Sequence, residues 1–329
     1  MVSLERENRG HTNPIAGADL AVCILFYEKL EQTLECIQSF LPSAVNIYIL
    51  NNGSSPSSRR TLGQFCANYK QIEIFDSDTN LGVGVGRNYL VTNTTEGWLL
   101  FVDSDIIINT SDWLQKFVHY VSRYPDTEVF IPRLFNRHEN RYVLYRSMRT
   151  EGRKVIHDVE IIDDLTNVFP GGASFINRKL FNRLGLYDDK MFVGFEDFEL
   201  CIRGIRLGNP VKARIISDIE LVHNHRQTKK IQDNKAILTR YDIQLLEASF
   251  NRMAEKHNII LESNWKNWVS NQVKKVSKYD KIILKKDWRH WIFNKTKKIL
   301  RQCKEIMVSF VSFFLPERIK MILKKSLHP

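Results

Sequence analysis

The stretch "WLLFVDSDIIIN", residues 98–109, is an unbroken apolar run that ends in two carboxylates, Asp103 and Asp105, with one serine between them. A run without polar alternation suits a strand covered on both faces, as in a parallel sheet with helices on either side. Working outward, the same signal recurs upstream in "LAVCILF" (20–26), "NIYIL" (46–50) and "IEIF" (72–75). Helical patterns stand between these runs, in "LEQTLECIQSF" (30–40), "RRTLGQFCANY" (59–69) and "GRNYLVTNT" (86–94). Downstream, "TSDW" (110–113) opens another helix, with Ser111 or Asp112 as its cap, and "EVFIP" (128–132) follows as a strand. Short apolar runs alternating with helical segments predict βαβ units, and hence an α/β fold with a mainly parallel sheet flanked by helices. Ligands of such sheets bind beyond the carboxyl ends of the strands, which is where Asp103 and Asp105 emerge.

A second Asp-Ser-Asp stands in "IFDSDTNLG" (74–82). It leads into "TNLGVGVGRN" (79–88), where Gly82, Gly84 and Gly86 alternate, and its acids read as turn formers ahead of a glycine-rich loop. That loop could bring backbone N–H groups to a phosphate at the start of a helix beginning near Arg87. Two carboxylates at i and i+2, such as Asp103 and Asp105, can hold a hard divalent cation and leave room for phosphate oxygens. A polar strand end is the plainer account of such a pair taken alone. In "FPGGASFINRKLF" (169–181), Gly171 and Gly172 allow close backbone approach to a ligand or simply make a tight turn. "VGFEDFELCIRGIRLG" (193–208) opens a helix with Glu196, Asp197 and Glu199, acids that either cap and complement the helix dipole or supply a general base. In "LVHNHRQ" (221–227), His223 and His225 face one way if extended, and line a metal site or a polar face.

At 329 residues and 43% hydrophobic, the chain can bury a substantial core. Its net charge of +11 is concentrated at one end: residues 265–329 hold 17 Lys/Arg against 4 Asp/Glu, leaving 31 against 33 in the first 264. That distribution disfavours a nucleic-acid-binding reading of the whole chain. In the basic segment Leu284, Trp288, Trp291, Ile292, Ile299, Cys303 and Ile306 recur at helical spacing among lysines and arginines, the pattern of a helix lying on an anionic membrane surface. The ten apolar-rich residues "IMVSFVSFFL" are too few to span a bilayer. Packing of that face on protein is the other account. Five cysteines without metal spacing argue against a disulfide framework or a zinc site and for a reducing compartment. The polar residues 1–18 read as a flexible tail rather than a signal peptide. The expected organisation is a tail (1–18), an α/β domain (19–260) and a basic helical extension (261–329), cytoplasmic and peripheral on the cytoplasmic face of the membrane.

In order, "AVCILFY", "YILNNGSS", "NLGVGVGRN", "FVDSD", "GGASFINRKLF", "GFEDFEL" and "VHNH" resemble the family 2 glycosyltransferases of the GT-A fold, over roughly residues 20–226. The resemblance implies an inverting enzyme that moves a sugar from a nucleotide-sugar to a hydroxyl of a glycan or lipid-linked glycan. It implies Mn²⁺ or Mg²⁺ as cofactor, and a UDP-sugar donor ahead of dTDP- or GDP-sugars. By the same resemblance Asp103 approaches the ribose, Asp105 ligates the metal, and Ser104 stands between them. Arg87 and Asn88 lie beside the nucleotide with Asn80 and Gly82 of their loop, Gly171 and Gly172 border the donor, and Asp197 is the base with Glu196 as neighbour. A histidine completes the metal or diphosphate site, and His223 is preferred to His225. Two departures bear on the nucleotide. "LNNGSS" places Asn51 and Asn52 where many members have an aspartate, and "LFYEK" offers Tyr27 to stack on the base and Glu28 as the polar position. A silent carbohydrate-binding scaffold with the same fold, a sugar nucleotidyltransferase and a glycosidase are the rival readings. The retained DSD and FED weigh against the first, the absence of an Arg/Lys glycine-rich signature after the first strand against the second, and the nucleotide-type loop against the third.

Overall fold

A computed structural model describes residues 19–224 and 231–261. The tail 1–18, His225 and the basic segment 265–329 lie outside the described residues, and so do the expectations placed on them. The chain opens with β1 (Leu20–Phe26), α1 (Leu30–Phe40), β2 (Asn46–Asn52), α2 (Pro56–Cys66), β3 (Ile72–Ser77), α3 (Val83–Asn93) and β4 (Trp98–Asp103). A short β5 (Ile106–Ile108), α4 (Trp113–Arg123) and β6 (Val129–Asn136) follow. An excursion then carries β7 (Arg141–Tyr142), β8 (Ser147–Glu151), β9 (Lys154–Val159) and β10 (Leu165–Thr166). The chain returns through β11 (Ala173–Asn177), α5 (Arg178–Leu184), α6 (Glu196–Arg206) and β12 (Ala213–His223), and continues with α7 (Ile231–Arg240), α8 (Ile243–His257) and β13 (Ile260–Leu261).

Among the described residues the main sheet runs β10-β12-β6-β11-β4-β1-β2-β3, with β5 on β12 and β7 on β6. The half β3-β2-β1-β4 is parallel throughout, as the βαβ pattern predicts. Beyond β4 the sheet becomes mixed, because β11 runs antiparallel to both β4 and β6. The apolar runs are covered on both faces. Val22, Ile24, Phe26, Leu100 and Val102 pack into one layer with Cys36, Ile37 and Phe40 of α1, while Ala21, Cys23, Leu99 and Phe101 face Leu90 and Val91 of α3. Alternate residues of one strand therefore feed opposite layers, which is why these strands carry no polar face. Register does the rest: Leu25 pairs with Asp103 and Phe26 with Asn51, so the ends of β4, β1 and β2 meet at one edge.

Two sequence expectations shift. The helix expected near Arg87 begins at Val83, so Gly84 and Gly86 lie inside α3 rather than in a loop. Their value is proximity, since a Cβ on Gly86 would stand 2.6 Å from a methyl of Leu25 on β1. The second strand pair gained from the excursion, β8 with β9, joins β13 in a separate three-stranded sheet that no periodicity in 134–170 announces. Cys23, Cys36, Cys66 and Cys201 are all buried free thiols. Among the described residues no helix is long and apolar enough to cross a membrane.

Candidate active site

The carboxylates of the DSD sequence leave β4 in different directions. Asp105 is 3% exposed, with Oδ2 2.9 Å from Lys29 Nζ and Oδ1 3.1 Å from His223 Nε2. His223 reaches it because the last residues of β12 pair with β5, His223 standing opposite Ile106. Asp103 turns toward two guanidinium groups, Arg87 and Arg240, each at 3.4 Å. Ser104 sits in the turn between the two acids. Asp76 and Ser77 of the upstream copy instead finish β3, where Asp76 accepts from Asn51 Nδ2 at 2.8 Å and Arg59 Nε at 2.9 Å. Asp78 is fully exposed. The turn expected of this copy begins only at Asp78, since Asp76 and Ser77 still belong to the strand.

Arg87 is the hub of the site. Its Nη1 donates to Glu196 Oε1 at 3.0 Å, its Nη2 faces Asp103, and the guanidinium lies 5.9 Å from the centroid of the Tyr187 ring. Burial and the neighbouring charge of Asp197 push the Glu196 carboxyl upward, while Arg87 opposes the shift. Glu196 is thus a buried partner of Arg87, and among the described residues its Oε2 has no hydrogen-bond partner. Asp197, one residue on, is half-buried: Oδ2 accepts from the Gly171 N–H at 2.9 Å and Oδ1 from the Phe198 N–H at 2.8 Å. Two positive-φ residues set up this entry to α6, Gly194 (φ 76°) and the N-cap Phe195 (φ 68°), the latter held edge-on to Phe250. A left-handed aromatic residue is strained backbone, and strain of this kind persists only where its surroundings enforce it.

The glycine pair earns its composition here. A Cβ on Gly171 would lie 2.3 Å from Arg87 Nη1, and one on Gly172 would lie 2.2 Å from Asp103 Oδ1. The Asp103 N–H donates to the Gly172 carbonyl at 2.8 Å, so β11 and β4 deliver the pair and the acid to the same spot.

Other expected residues make internal hydrogen bonds. Glu28 is buried beneath the surface, where its carboxylate accepts from Ser55 N, Ser55 Oγ and Ser58 Oγ and ties β1 to the start of α2. Asn52 donates to Asn80 Oδ1 and the Gly82 carbonyl and accepts from Leu81 N–H, while Asn80 also accepts from Gly82 N–H. These amides shape the loop before α3. Asn88 makes a reciprocal pair with the Tyr187 backbone, donating to its carbonyl and accepting from its N–H, both at 2.9 Å. Asn51 and Tyr27 remain at the ends of β2 and β1, and the Tyr27 ring lies 5.8 Å from Lys235 Nζ of α7. Lys29 and Arg240 are the site residues that sequence reading missed. Lys29 stands in the quoted "LFYEK", whereas nothing around Arg240 signals a return to Asp103 from 137 positions away.

Behind α6, Glu199 is buried against Arg203, Lys256 and His257, the last at 2.7 Å. Although burial opposes ionisation, the hydrogen bonds from His257, Arg203 and Lys256 lower the Glu199 carboxyl to about 2. A carboxylate with a depressed folded pKa stabilises the fold above its unfolded value and loses that contribution as pH falls toward the folded value. The melting temperature should therefore drop between pH 4.5 and 2, and Glu199→Gln should lower it at pH 7 while flattening that acid limb. Parallel acid limbs for the two proteins in thermal melts would show that Glu199 does not anchor α6.

The model of the family described as "Glycosyl transferase family 2" matches residues 21–185, half of the chain. The chain belongs to that family. It is 23% identical over 205 residues to the low-salt glycan biosynthesis hexosyltransferase Agl10 of Haloferax volcanii, covering 57% of this chain and 62% of that protein. It is also 23% identical over 171 residues to the dTDP-rhamnosyl transferase RfbF of Shigella flexneri, covering 50% of this chain and 55% of that protein. The chain thus spans less than two thirds of the length of these curated relatives. A solved structure of GalNAc-T7 with UDP, GalNAc and Mn²⁺ superposes with a TM-score of 0.51 at 14% identity, over 79% of this chain and 57% of that one. This likeness places the family 2 domain in the GT-A fold.

Asp105 and His223 present one carboxylate oxygen and one imidazole nitrogen at the separation of neighbouring ligands, a donor set that suits a hard divalent ion completed by phosphate oxygens and water. Among the described residues no third acidic, histidine or cysteine side chain converges on them, since Asp103 is turned to its arginines.

Proposed function

We propose that the chain transfers a sugar, with inversion, from a nucleotide-sugar to a hydroxyl of a glycan or lipid-linked glycan. The observation that carries this reading is the convergence of Asp103, Arg87, Gly171 and Asp197 at one sheet edge, with Asp197 held half-exposed by two backbone N–H groups. The base of the nucleotide would lie across the ends of β1 and β2, beside Tyr27 and Asn51, and the ribose beside Asp103. The diphosphate would meet Arg87 and Arg240, whose charges Asp103 now partly offsets. Bound by Asp105 and His223, Mn²⁺ or Mg²⁺ would offset charge on the departing diphosphate.

Asp197 takes the proton of the acceptor hydroxyl as its oxygen attacks the anomeric carbon. The bond from that carbon to the phosphate oxygen breaks, and its electron pair leaves with the diphosphate. Attack opposite the leaving group inverts the anomeric centre. Asp197 fits this role better than Glu196, which is buried and paired to Arg87.

The test is thermal stabilisation by UDP, GDP, dTDP and CMP, each with Mn²⁺ and with EDTA. One nucleotide should raise the melting temperature most, more with Mn²⁺, and Asp105→Ala should remove the metal-dependent part. No shift with any of the four would overturn donor binding and favour a silent scaffold.

A further inference from the structure

The two residues after β1 and the adjoining Tyr27, Glu28 and Lys29 in sequence, carry an unusual backbone: Glu28 has φ 55° and Lys29 has φ 54°. Two successive side chains in the left-handed region are costly for residues other than glycine, and such conformations persist where the surroundings over-determine them. Glu28 supplies that constraint, its N–H bonded to Ser54 Oγ and its buried carboxylate bonded by Ser55 and Ser58. Lys29 is also the N-cap of α1, a position that favours Ser, Thr, Asp, Asn or Gly, and it makes no side-chain cap. Its carbonyl accepts from the Thr33 N–H and hydroxyl, which fixes it to the helix. Neither helix capping nor backbone preference calls for lysine here. What the arrangement does achieve is to seat an ammonium group, 14% exposed, 2.9 Å from the inner carboxylate of the DSD sequence.

We propose that Lys29 is a resident cation of the diphosphate site, holding Asp105 Oδ2 before the donor arrives and competing there with a divalent ion. Two cations within about 3 Å of one carboxylate oxygen repel each other strongly in a site shielded from water. A divalent ion entering at Asp105 must therefore displace the ammonium from Oδ2, and Lys29 Nζ is then placed for a phosphate oxygen of the donor. Lys29 thereby weakens metal binding to the empty site and supports diphosphate binding when the metal is scarce. The diphosphate arm rests on the glycosyl-transfer reading; the metal arm does not.

The experiment measures Mn²⁺ binding without nucleotide, by electron paramagnetic resonance of free Mn²⁺, for the wild-type chain and for Lys29→Met, Lys29→Gln and Lys29→Arg. Met and Gln should each tighten Mn²⁺ binding about tenfold, equivalent to about 1.4 kcal/mol, while Arg stays near wild type. In a second arm, the nucleoside diphosphate preferred by the wild type is titrated in EDTA, where Met and Gln should weaken binding about tenfold and Arg should preserve it. Unchanged or weaker Mn²⁺ binding in both neutral variants overturns the competition. Unchanged diphosphate affinity in EDTA overturns the role toward phosphate. If no nucleotide binds any of the proteins while the Mn²⁺ difference persists, the glycosyl-transfer reading falls and the resident cation stands.

Discussion

Asp197→Asn should bind the donor nucleotide within about threefold of the wild type and lose about 10²–10⁴-fold in transfer, the usual scale of general-base assistance. The separation of the two effects follows from position. Asp197 accepts from Gly171 N–H and Phe198 N–H, whereas on the proposed reading Arg87 and Arg240, paired to Asp103, would meet the diphosphate without it. The substitution has a modest structural side effect. An amide offers one oxygen where the carboxylate offered two, so one of the two N–H groups loses its acceptor, at about 1 kcal/mol. A thermal melt quantifies that loss separately from turnover. Near-normal transfer by the variant would remove Asp197 from the role and direct attention to the unpartnered Oε2 of Glu196.

Gly172→Ala should cost about 10–10²-fold in donor affinity, the scale of losing one hydrogen bond to a charged group, about 1.5–3 kcal/mol. The new methyl would meet both carboxylate oxygens of Asp103, at 2.2 and 2.8 Å. Asp103 must rotate, and Arg87 and Arg240 lose the acceptor that aligns them. The backbone itself tolerates the change, because Gly172 is not among the glycines with positive φ. Gly63→Ala is the matched control: it lies within α2 with open space around its Cβ, and alanine there should raise helix stability by about 1 kcal/mol or less. Isothermal titration with the nucleotide compares the two. Equal affinity for both variants would mean that Asp103 does not set the donor site.

Much of this was legible from residue patterns because the relevant physics is local. Apolar runs bounded by helices at 20–103 are enough to give a parallel half-sheet, and a DSD at the end of the most apolar run is enough to mark its carboxyl edge. "FPGGA" and "GFEDFEL" could each be read as a turn or a cap; only tertiary distance shows that they meet, Gly171 N–H at Asp197 and Gly172 at Asp103. What pattern could not reveal is how polar groups are shared. Asn52, Asn80, Asn88 and Glu28 have the composition of ligand contacts, and each also bonds a backbone group that the loops leave unsatisfied. Arg240 and Lys29 reach the site through tertiary geometry alone. The switch to antiparallel pairing at β11 was hidden for the same reason, because "ASFIN" is apolar enough for either direction.

That switch has a consequence for how such a chain can diverge. Because β6 ends and β11 begins at the edge that carries Asp103, the whole excursion 137–172 departs from and returns to one rim of the sheet. Its buried Met148, Val155 and Phe169, the β10–β12 pairing and the glycine pair tie it to the sheet, so changes of length are accommodated at its exposed stretches. The exposed Leu144 and Ile162 belong to it, and so do Arg146 and Arg153. The parallel half of the sheet is thus a fixed frame, and the exposed stretches of the excursion are where the rim can vary without disturbing it.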